Sequence, residues 1–206
     1  MIRRNDIEVM APAGSREALR AAIQGGADSV YFGVEKLNMR ARSSHNFTSA
    51  ELPGIVALCR EHGLRSYLTL NIVVYDEEVS EMKEVLASAA AAGITAVIAT
   101  DQAAILAARE AGIEVHLSTQ LNISNAGSLK FYSQWADVAV LSRELNLQQV
   151  KKIHDTIISD DIRGPGGGPM KLEMFVHGAL CMAISGKCYL SLHEHNASAN
   201  RGNCYQ

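Results

Sequence analysis

The sequence is poor in aromatic residues, carries no excess of positive charge and has no long uninterrupted apolar run. Aromatic residues make up only 5% of the 206 positions, so we expect a core of aliphatic side chains between small helices and a buried sheet. The formal net charge of −3 does not predict DNA binding, and any RNA-binding face would have to be local or lie outside this segment. Residues 85–99 are interrupted by Gly93, so no membrane span is predicted.

Signals for export and for common catalytic motifs are also missing. The first eight residues are charged and lack the apolar stretch and cleavage site of a secretory leader, which favours a cytoplasmic protein. There is no GxGxxG after the first predicted strand, and neither an HExxH nor a GxSxG motif occurs. Three of the four cysteines, Cys181, Cys188 and Cys204, fall near the end of the sequence; in a cytoplasmic protein this indicates metal binding before disulfides.

Short β-branched runs alternate with amphipathic stretches along the chain. Continuous apolar runs of this length are typical of strands covered on both faces, and seven are predicted: Ile7–Met10, Ser29–Phe32, Ser66–Leu70, Ala96–Ala99, Glu114–Leu117, Val138–Leu141 and Leu172–Val176. The stretches between them predict helices: Ser15–Gln24, Ser49–Glu61, Glu77–Ala92, Gln102–Ala111, Ala126–Gln134 and Leu147–Ile158. Seven strands that alternate with six helices favour an α/β fold with a parallel β/α barrel over residues 1–178, incomplete in this chain, with the eighth strand expected beyond Gln206 or replaced.

Polar residues follow the ends of several predicted strands, where parallel barrels carry their chemistry. Asn71 and Gln120 are candidates for hydrogen bonds to a polar substrate. Arg143 and Glu144 are adjacent, so only one of them is expected to face the mouth of the barrel. Arg143 is a candidate for binding a carboxylate or phosphate, with a salt bridge at the rim as the alternative.

The loop after the second strand is a further candidate for substrate binding. Arg40, Arg42 and His45 could contact phosphates while Phe47 stacks on a base, although a merely solvated charged loop explains the same residues. His116 lies inside the fifth strand and is either a substrate ligand or a core histidine.

One stretch near the end of the sequence is distinctive. It combines an acidic strand end, a histidine, glycines and two cysteines: Glu173, Phe175, His177, Gly178, Ala179, Leu180, Cys181, Ser185, Gly186, Cys188 and Tyr189. This pattern resembles the signature of the collagenase-like peptidase family, peptidase family U-32. Further similar stretches are residues 11–14, 26–31, 116–120 and 141–145, so the resemblance extends over essentially the whole chain.

The resemblance implies two kinds of activity. The family is named for peptidases, but better-understood bacterial members are linked to hydroxylation of a tRNA wobble uridine, an rRNA cytidine, or ubiquinone without oxygen. Residues 198–204 and 143–147 are most similar to the RNA-hydroxylation members. In the ubiquinone pair, cysteines hold a four-iron, four-sulfur cluster.

Carried over to this sequence, the resemblance makes Cys181, Cys188 and Cys204 cluster ligands. They lie in a cluster-binding segment that begins at residues 179–206, with the fourth ligand expected outside this chain. Zinc is the alternative, since His193 and His195 would share one face of an extended strand, although solvent-exposed loop histidines explain the same residues. His177 is predicted to end the seventh strand, where it donates a proton, orients a ligand or binds substrate; the alternative is a structural hydrogen bond at Gly178.

Three functions follow from these features. The first is a protein supporting hydroxylation of a nucleobase in tRNA or rRNA, with His177, Arg143 and Glu144 in catalytic roles and an iron–sulfur cluster. The second is a collagenase-like, metal-dependent peptidase. The third is a non-catalytic accessory protein whose cysteines bind metal for structure alone.

Overall fold

The computed structural model describes residues 6–39, 41, 46–179 and 181–205. Its seven strands are β1 (Met10–Pro12), β2 (Ser29–Gly33), β3 (Arg65–Leu70), β4 (Ala96–Ala99), β5 (Glu114–Leu117), β6 (Val138–Val140) and β7 (Lys171–Glu173). Its helices are α1 (Arg16–Gln24), α2 (Leu52–Glu61), α3 (Val79–Ala92), α4 (Gln102–Glu110), α5 (Ala126–Tyr132), α6 (Leu147–Ser159) and α7 (Leu190–His195).

The strands form one parallel sheet in sequence order, from β1 to β7. A helix separates each of the first six strands from the next, as right-handed parallel crossovers require. Among the described strands β1 and β7 do not pair, so the fold is a seven-stranded, incomplete β/α barrel. The predicted fold class, strand count and parallel order are confirmed.

Local sequence signals define the helix ends. Side chains cap four helix starts: Ser15 accepts from the amide of Ala18, and Asp101, Asn125 and Asn146 act in the same way at α4, α5 and α6. Gly93 ends α3 in the left-handed conformation, which costs glycine little. Among the described residues, no helix is long and apolar enough to span a bilayer.

The core has two parts. The larger lies between the outer face of the sheet and the helices and is aliphatic, with Cys59 buried in it at 1% exposure as predicted. The smaller lies on the inner face, which we call the lumen, where Tyr67, Ala96 and Ile98 pack with Met10 and Tyr31.

Three predicted elements differ in the structure. β1 begins at Met10 and not at Ile7, because the amide of Val9 donates to the Asp28 carboxylate (2.7 Å) and not to a neighbouring strand. β7 ends at Glu173, since its partner β6 ends at Val140. His193 and His195 lie neither on the extended strand considered for them nor in the solvent-exposed loop that was the alternative, because both belong to helix α7.

Candidate functional site

Polar side chains at the carboxyl ends of β3, β4 and β5 are joined through Gln120. Its Oε1 accepts hydrogen bonds from Thr100 Oγ1 (2.8 Å) and Ser118 Oγ, and its Nε2 donates to the carbonyl of Asn71 (3.0 Å). Asn71 Oδ1 in turn accepts from the amide of Met39, beyond β2 (3.1 Å). The ends of four neighbouring strands are thus linked into one amide and hydroxyl network at the mouth of the barrel.

Residues 181–205, which we call the cysteine segment, lie against this mouth. Arg143, just beyond β6, donates from Nη2 to the carbonyl of Ala183 (2.9 Å) and to Ser185 Oγ (2.8 Å). Asn122 Nδ2 donates to the carbonyl of Ser185 (2.6 Å). Gly186 has φ +71°, and an added Cβ there would lie 2.7 Å from the Gln120 carbonyl oxygen. This part of the segment is therefore in close contact with the ends of β5 and β6.

A second set of contacts holds the later part of the cysteine segment. Arg201 donates to the carbonyl of Val73 (2.6 Å), pairs with Glu78 and stacks over the ring of Tyr75, 3.9 Å from its centroid. The amide of Val73 donates to the carbonyl of Asn200 (3.1 Å). The pKa of Glu78 is lowered, chiefly by the hydrogen bonds from Arg201. The stretch before Cys204 is therefore fixed to the loop between β3 and α3.

Three buried polar atoms near this contact lack a hydrogen-bond partner among the described residues. In the described part of the chain, Asn122 Oδ1, Arg143 Nε and Asn200 Oδ1 are buried without a hydrogen-bond partner. Such atoms are rare in native proteins because each loses its water without compensation. Asn122 and Arg143 bind the cysteine segment through the side-chain nitrogens Nδ2 and Nη2, and Asn200 belongs to that segment.

The cysteine segment carries three free thiols, Cys181, Cys188 and Cys204, each partly buried. Within the ranges that the structure describes, no three His, Cys, Asp or Glu side chains are gathered closely enough to hold a metal ion. The thiols as placed do not make a preformed metal or cluster site. They share one segment on the barrel mouth, and Asn200 Nδ2 donates to the carbonyl of Cys188 (3.3 Å), which links the two halves of that segment.

The structure brings some predicted residues to the mouth and not others. Asn71, Gln120 and Arg143 are there, although their observed contacts are with the protein itself. His177 does not end a strand as predicted, because β7 stops at Glu173 and His177 lies exposed beyond it. His116 is 4% exposed and faces the lumen.

The remaining predicted residues are resolved as follows. Glu144 accepts a hydrogen bond from Ser142, which lowers the pKa of its carboxyl group, and the described part of the chain shows no salt bridge between it and Arg143. Arg40, Arg42 and His45 lie outside the described residues. Phe47 is 3% exposed and packs edge-on against Phe32, so the prediction that it stacks on a base is wrong.

Sequence reasoning missed several residues that shape the site. Asn122 adopts φ +51°, a left-handed conformation that asparagine tolerates better than most residues, and this aims its amide at the cysteine segment. Asn200 and Arg201 lie within residues 198–204, whose similarity to the RNA-hydroxylation members was noted, but they were assigned no role. Glu78 carried no signal, since one acidic residue at a helix start is usually only a favourable helix charge.

Comparison with known proteins places the chain in a family. The profile of peptidase family U32 matches residues 14–206, and the chain belongs to this family. It is 63% identical over 202 residues to a collagenase of Porphyromonas gingivalis, covering 98% of this chain and 49% of that protein. It is 32% identical over 202 residues to tRNA hydroxylation protein P1 of Bacillus subtilis, covering 97% and 45%. It is 33% identical over 201 residues to the 23S rRNA 5-hydroxycytidine C2501 synthase of Escherichia coli, covering 97% and 29%.

The chain thus spans about half the length, or less, of these curated relatives. Among solved structures, it is similar to the U32 peptidase Mk0906, with a TM-score of 0.61 and 16% identity over 72% of this chain and 64% of that one. At that identity the likeness concerns the fold, and it agrees with the incomplete barrel described above.

Proposed function

We propose that this chain supplies the barrel and cysteine segment of a cytoplasmic protein that supports hydroxylation of a nucleobase in tRNA or rRNA. The observation that carries the proposal is the polar network at the mouth, in which Gln120 joins Asn71, Thr100 and Ser118, with the donors Asn122 and Arg143 on the neighbouring strand ends. A pyrimidine presents both donors and acceptors on its edge, which such a mixed set can satisfy. The RNA-hydroxylation relatives match this chain over nearly its whole length, which supports the same assignment.

The residues at the mouth would act by binding and orientation. Hydrogen bonds with the Thr100 hydroxyl and the backbone carbonyl of Asn71 fix the side chain of Gln120, so its amide is preorganised for a planar polar ligand. Arg143 lies just beyond β6, and its guanidinium charge favours an anionic group such as an RNA phosphate near the mouth. His177 and Glu144 are proposed as catalytic residues that act on the part of the substrate that extends beyond the rim.

We propose Cys181, Cys188 and Cys204 as thiolate ligands of an iron–sulfur cluster, completed by a ligand other than these three. Thiolates are the usual ligands of such clusters, and when bound the cluster would supply electron transfer near the mouth. Support comes from their common segment and from the partial exposure of the three residues. Zinc on the same thiols is the alternative.

The test is nucleoside mass spectrometry of bulk RNA from a strain that lacks this gene, restored with the full-length gene or with variants. We expect a hydroxylated pyrimidine to disappear in the deletion strain, to return with the wild type, and to stay absent with Asn122→Ala or Cys181→Ser. Gly168→Ala, in a surface loop with no neighbour near its Cβ position, is the matched control that restores the nucleoside. Unchanged nucleoside spectra in the deletion strain would refute the proposal.

Cofactor content is measured separately, as iron, sulfide and zinc in full-length protein purified without oxygen. Loss of metal in Cys181→Ser without loss of the modified nucleoside would favour the third function, a metal-binding accessory protein. Loss of both supports the cluster at the site.

A collagenase-like peptidase is the second candidate, favoured by the 63% identity to the Porphyromonas gingivalis protein. The mouth offers it little: Ser118 donates its hydroxyl proton to Gln120 and not to a histidine that could activate it. Cleavage of gelatin by the full-length protein, abolished in His177→Ala, would establish this candidate instead.

A further inference from the structure

A second polar cluster lies in the lumen, below the mouth. His116 on β5 is buried, stacks on Tyr67 (centroids 4.7 Å apart) and places Nε2 3.2 Å from Glu114 Oε1. Its other ring nitrogen, Nδ1, is buried without a hydrogen-bond partner in the described residues and faces Glu173 Oε2 on β7 at 3.9 Å. The first residue of the signature motif therefore meets a histidine from a separate strand.

The charged and titratable groups around His116 come from four elements: Glu8 before β1, Arg65 and Tyr67 on β3, Glu114 on β5, and Lys171 and Glu173 on β7. Most are matched. The Glu8 carboxylate accepts from Tyr67 Oη (2.6 Å) and Arg65 Nη1 (2.6 Å). The pKa of Glu114 is lowered, first by its hydrogen bond with His116. The described part of the chain provides no hydrogen bond to the Glu173 carboxylate.

Glu173 is placed where a negative charge is unfavourable. Burial raises the pKa of its carboxyl group, and the charge of Glu8 adds to that effect while His116 opposes it. If His116 donated from Nε2 to Glu114 and carried no further proton, the Nδ1 lone pair would face a carboxylate oxygen. Both groups are acceptors in that state, so the arrangement needs a proton.

We propose that His116 and Glu173 hold one proton, taken from solvent, between Nδ1 and Oε2. This proton stabilises the contact between β7 and β5 on the lumen side of the sheet. Whichever atom carries it, the other accepts, and a small side-chain rotation closes the 3.9 Å gap to a hydrogen bond. The pair is separate from the mouth and does not rest on the reaction proposed there.

The contact between His116 and Glu173 is linked to the cysteine segment through the backbone. The Glu173 carbonyl accepts from the amide of Leu141 (2.9 Å), two residues before Arg143, and β7 leads directly into the stretch that ends at Cys181. A carboxyl group with a raised pKa contributes stability that is present at low pH and lost as the pH rises through its titration. The attachment of β7 is therefore expected to weaken as the pH rises.

Nuclear magnetic resonance tests this directly, through the ring ¹⁵N shifts of His116 and the carboxyl ¹³C shift of Glu173, from about pH 5 to about pH 8. We expect both signals to change together in one step. Above that step the protection factors of the β7 amides against hydrogen exchange should fall. Independent titration of the two groups, or an ionised Glu173 beside a bare Nδ1 throughout, would overturn the proposal.

Glu173→Gln provides the decisive variant, because its amide can donate permanently to Nδ1. In this variant the joint step is expected to vanish and the β7 amides to stay protected over the whole range. Glu110→Gln, which removes an exposed carboxylate at the end of α4, is the charge-matched control and should titrate like the wild type. If the protection factors of the β7 amides depend on pH equally in both variants, the proton does not stabilise the position of β7.

Discussion

Arg201 and Glu78 form a two-pronged ion pair between the cysteine segment and the turn that precedes α3. Arg201 Nη2 donates to Glu78 Oε1 at 2.7 Å, while Nη1 donates to Oε2. The two side chains are only 22% and 21% exposed, and Glu78 Oε2 also accepts from the amide of Tyr75 (2.9 Å). Because two parallel bonds fix both planes, this contact positions the backbone next to Cys204 more strictly than a single surface charge pair could.

Removing that pair should destabilise the protein measurably. We expect Arg201→Ala to lower the free energy of unfolding by about 1.5–3 kcal/mol, because charge-assisted bonds to a half-buried partner are lost. Lys151→Ala breaks an exposed pair with Asp155 and should cost clearly less, because water screens exposed charges. Urea unfolding of the two variants gives both values. Equal losses would mean that the Arg201 contact is no stronger than an ordinary surface pair.

Acid should release the same contact. The pKa of Glu78 is lowered by its hydrogen bonds from Arg201, so its stabilisation is present above the unfolded value of about 4.3 and is lost as the pH falls through the folded value. The amide of Val73, which donates to Asn200, reports on the attachment. Its protection against hydrogen exchange should fall in that acid range in the wild type. In Arg201→Ala it should already be low at neutral pH and change little, whereas a full acid transition there would contradict this origin.

The barrel was predictable because most strands lie in short apolar runs and four of the helices begin at a capping side chain. Ala96–Ala99 and Glu114–Leu117 were predicted with their observed bounds for that reason. β1 and β7, at the two ends of the sheet, were misplaced, since their lengths depend on a side chain and on a partner strand distant in sequence. The same limit applies to the site: Gln120 and Arg143 follow strands, which predicted their position at the mouth, but Glu78 gains its role only through Arg201.

Gly186 provides a test of how tightly the cysteine segment fits the mouth. It combines φ +71° with a position where a Cβ would lie 2.7 Å from the Gln120 carbonyl oxygen. Gly186→Ala should therefore cost about 1–2 kcal/mol from the left-handed backbone alone, and more if the segment moves. Gly168→Ala meets no atom within 4 Å and should be nearly neutral. Thermal unfolding compares the two, and a neutral Gly186→Ala would show that the segment is not held at Gln120.

The four cysteines should differ sharply in reactivity in reduced, metal-free protein. Burial raises the pKa of the Cys59 thiol to about 11, so it should resist alkylation at neutral pH until the protein unfolds. Cys181, Cys188 and Cys204 are partly exposed and should react in the folded state. Mass spectrometry after a timed iodoacetamide pulse measures each site, and modification of Cys59 at the rate of the others would contradict its place in the core.

The two arginine anchors should control different thiols. Arg143 holds Ala183 and Ser185, so Arg143→Lys, which loses the guanidinium fork, is expected to speed alkylation of Cys181 and Cys188 and leave Cys204 nearly unchanged. Arg201→Ala should mainly speed Cys204. Arg109→Lys, at the end of α4, is the matched control with no expected effect. If either anchor variant speeds all three thiols equally, the cysteine segment detaches as one unit, and independent anchoring of its two halves is wrong.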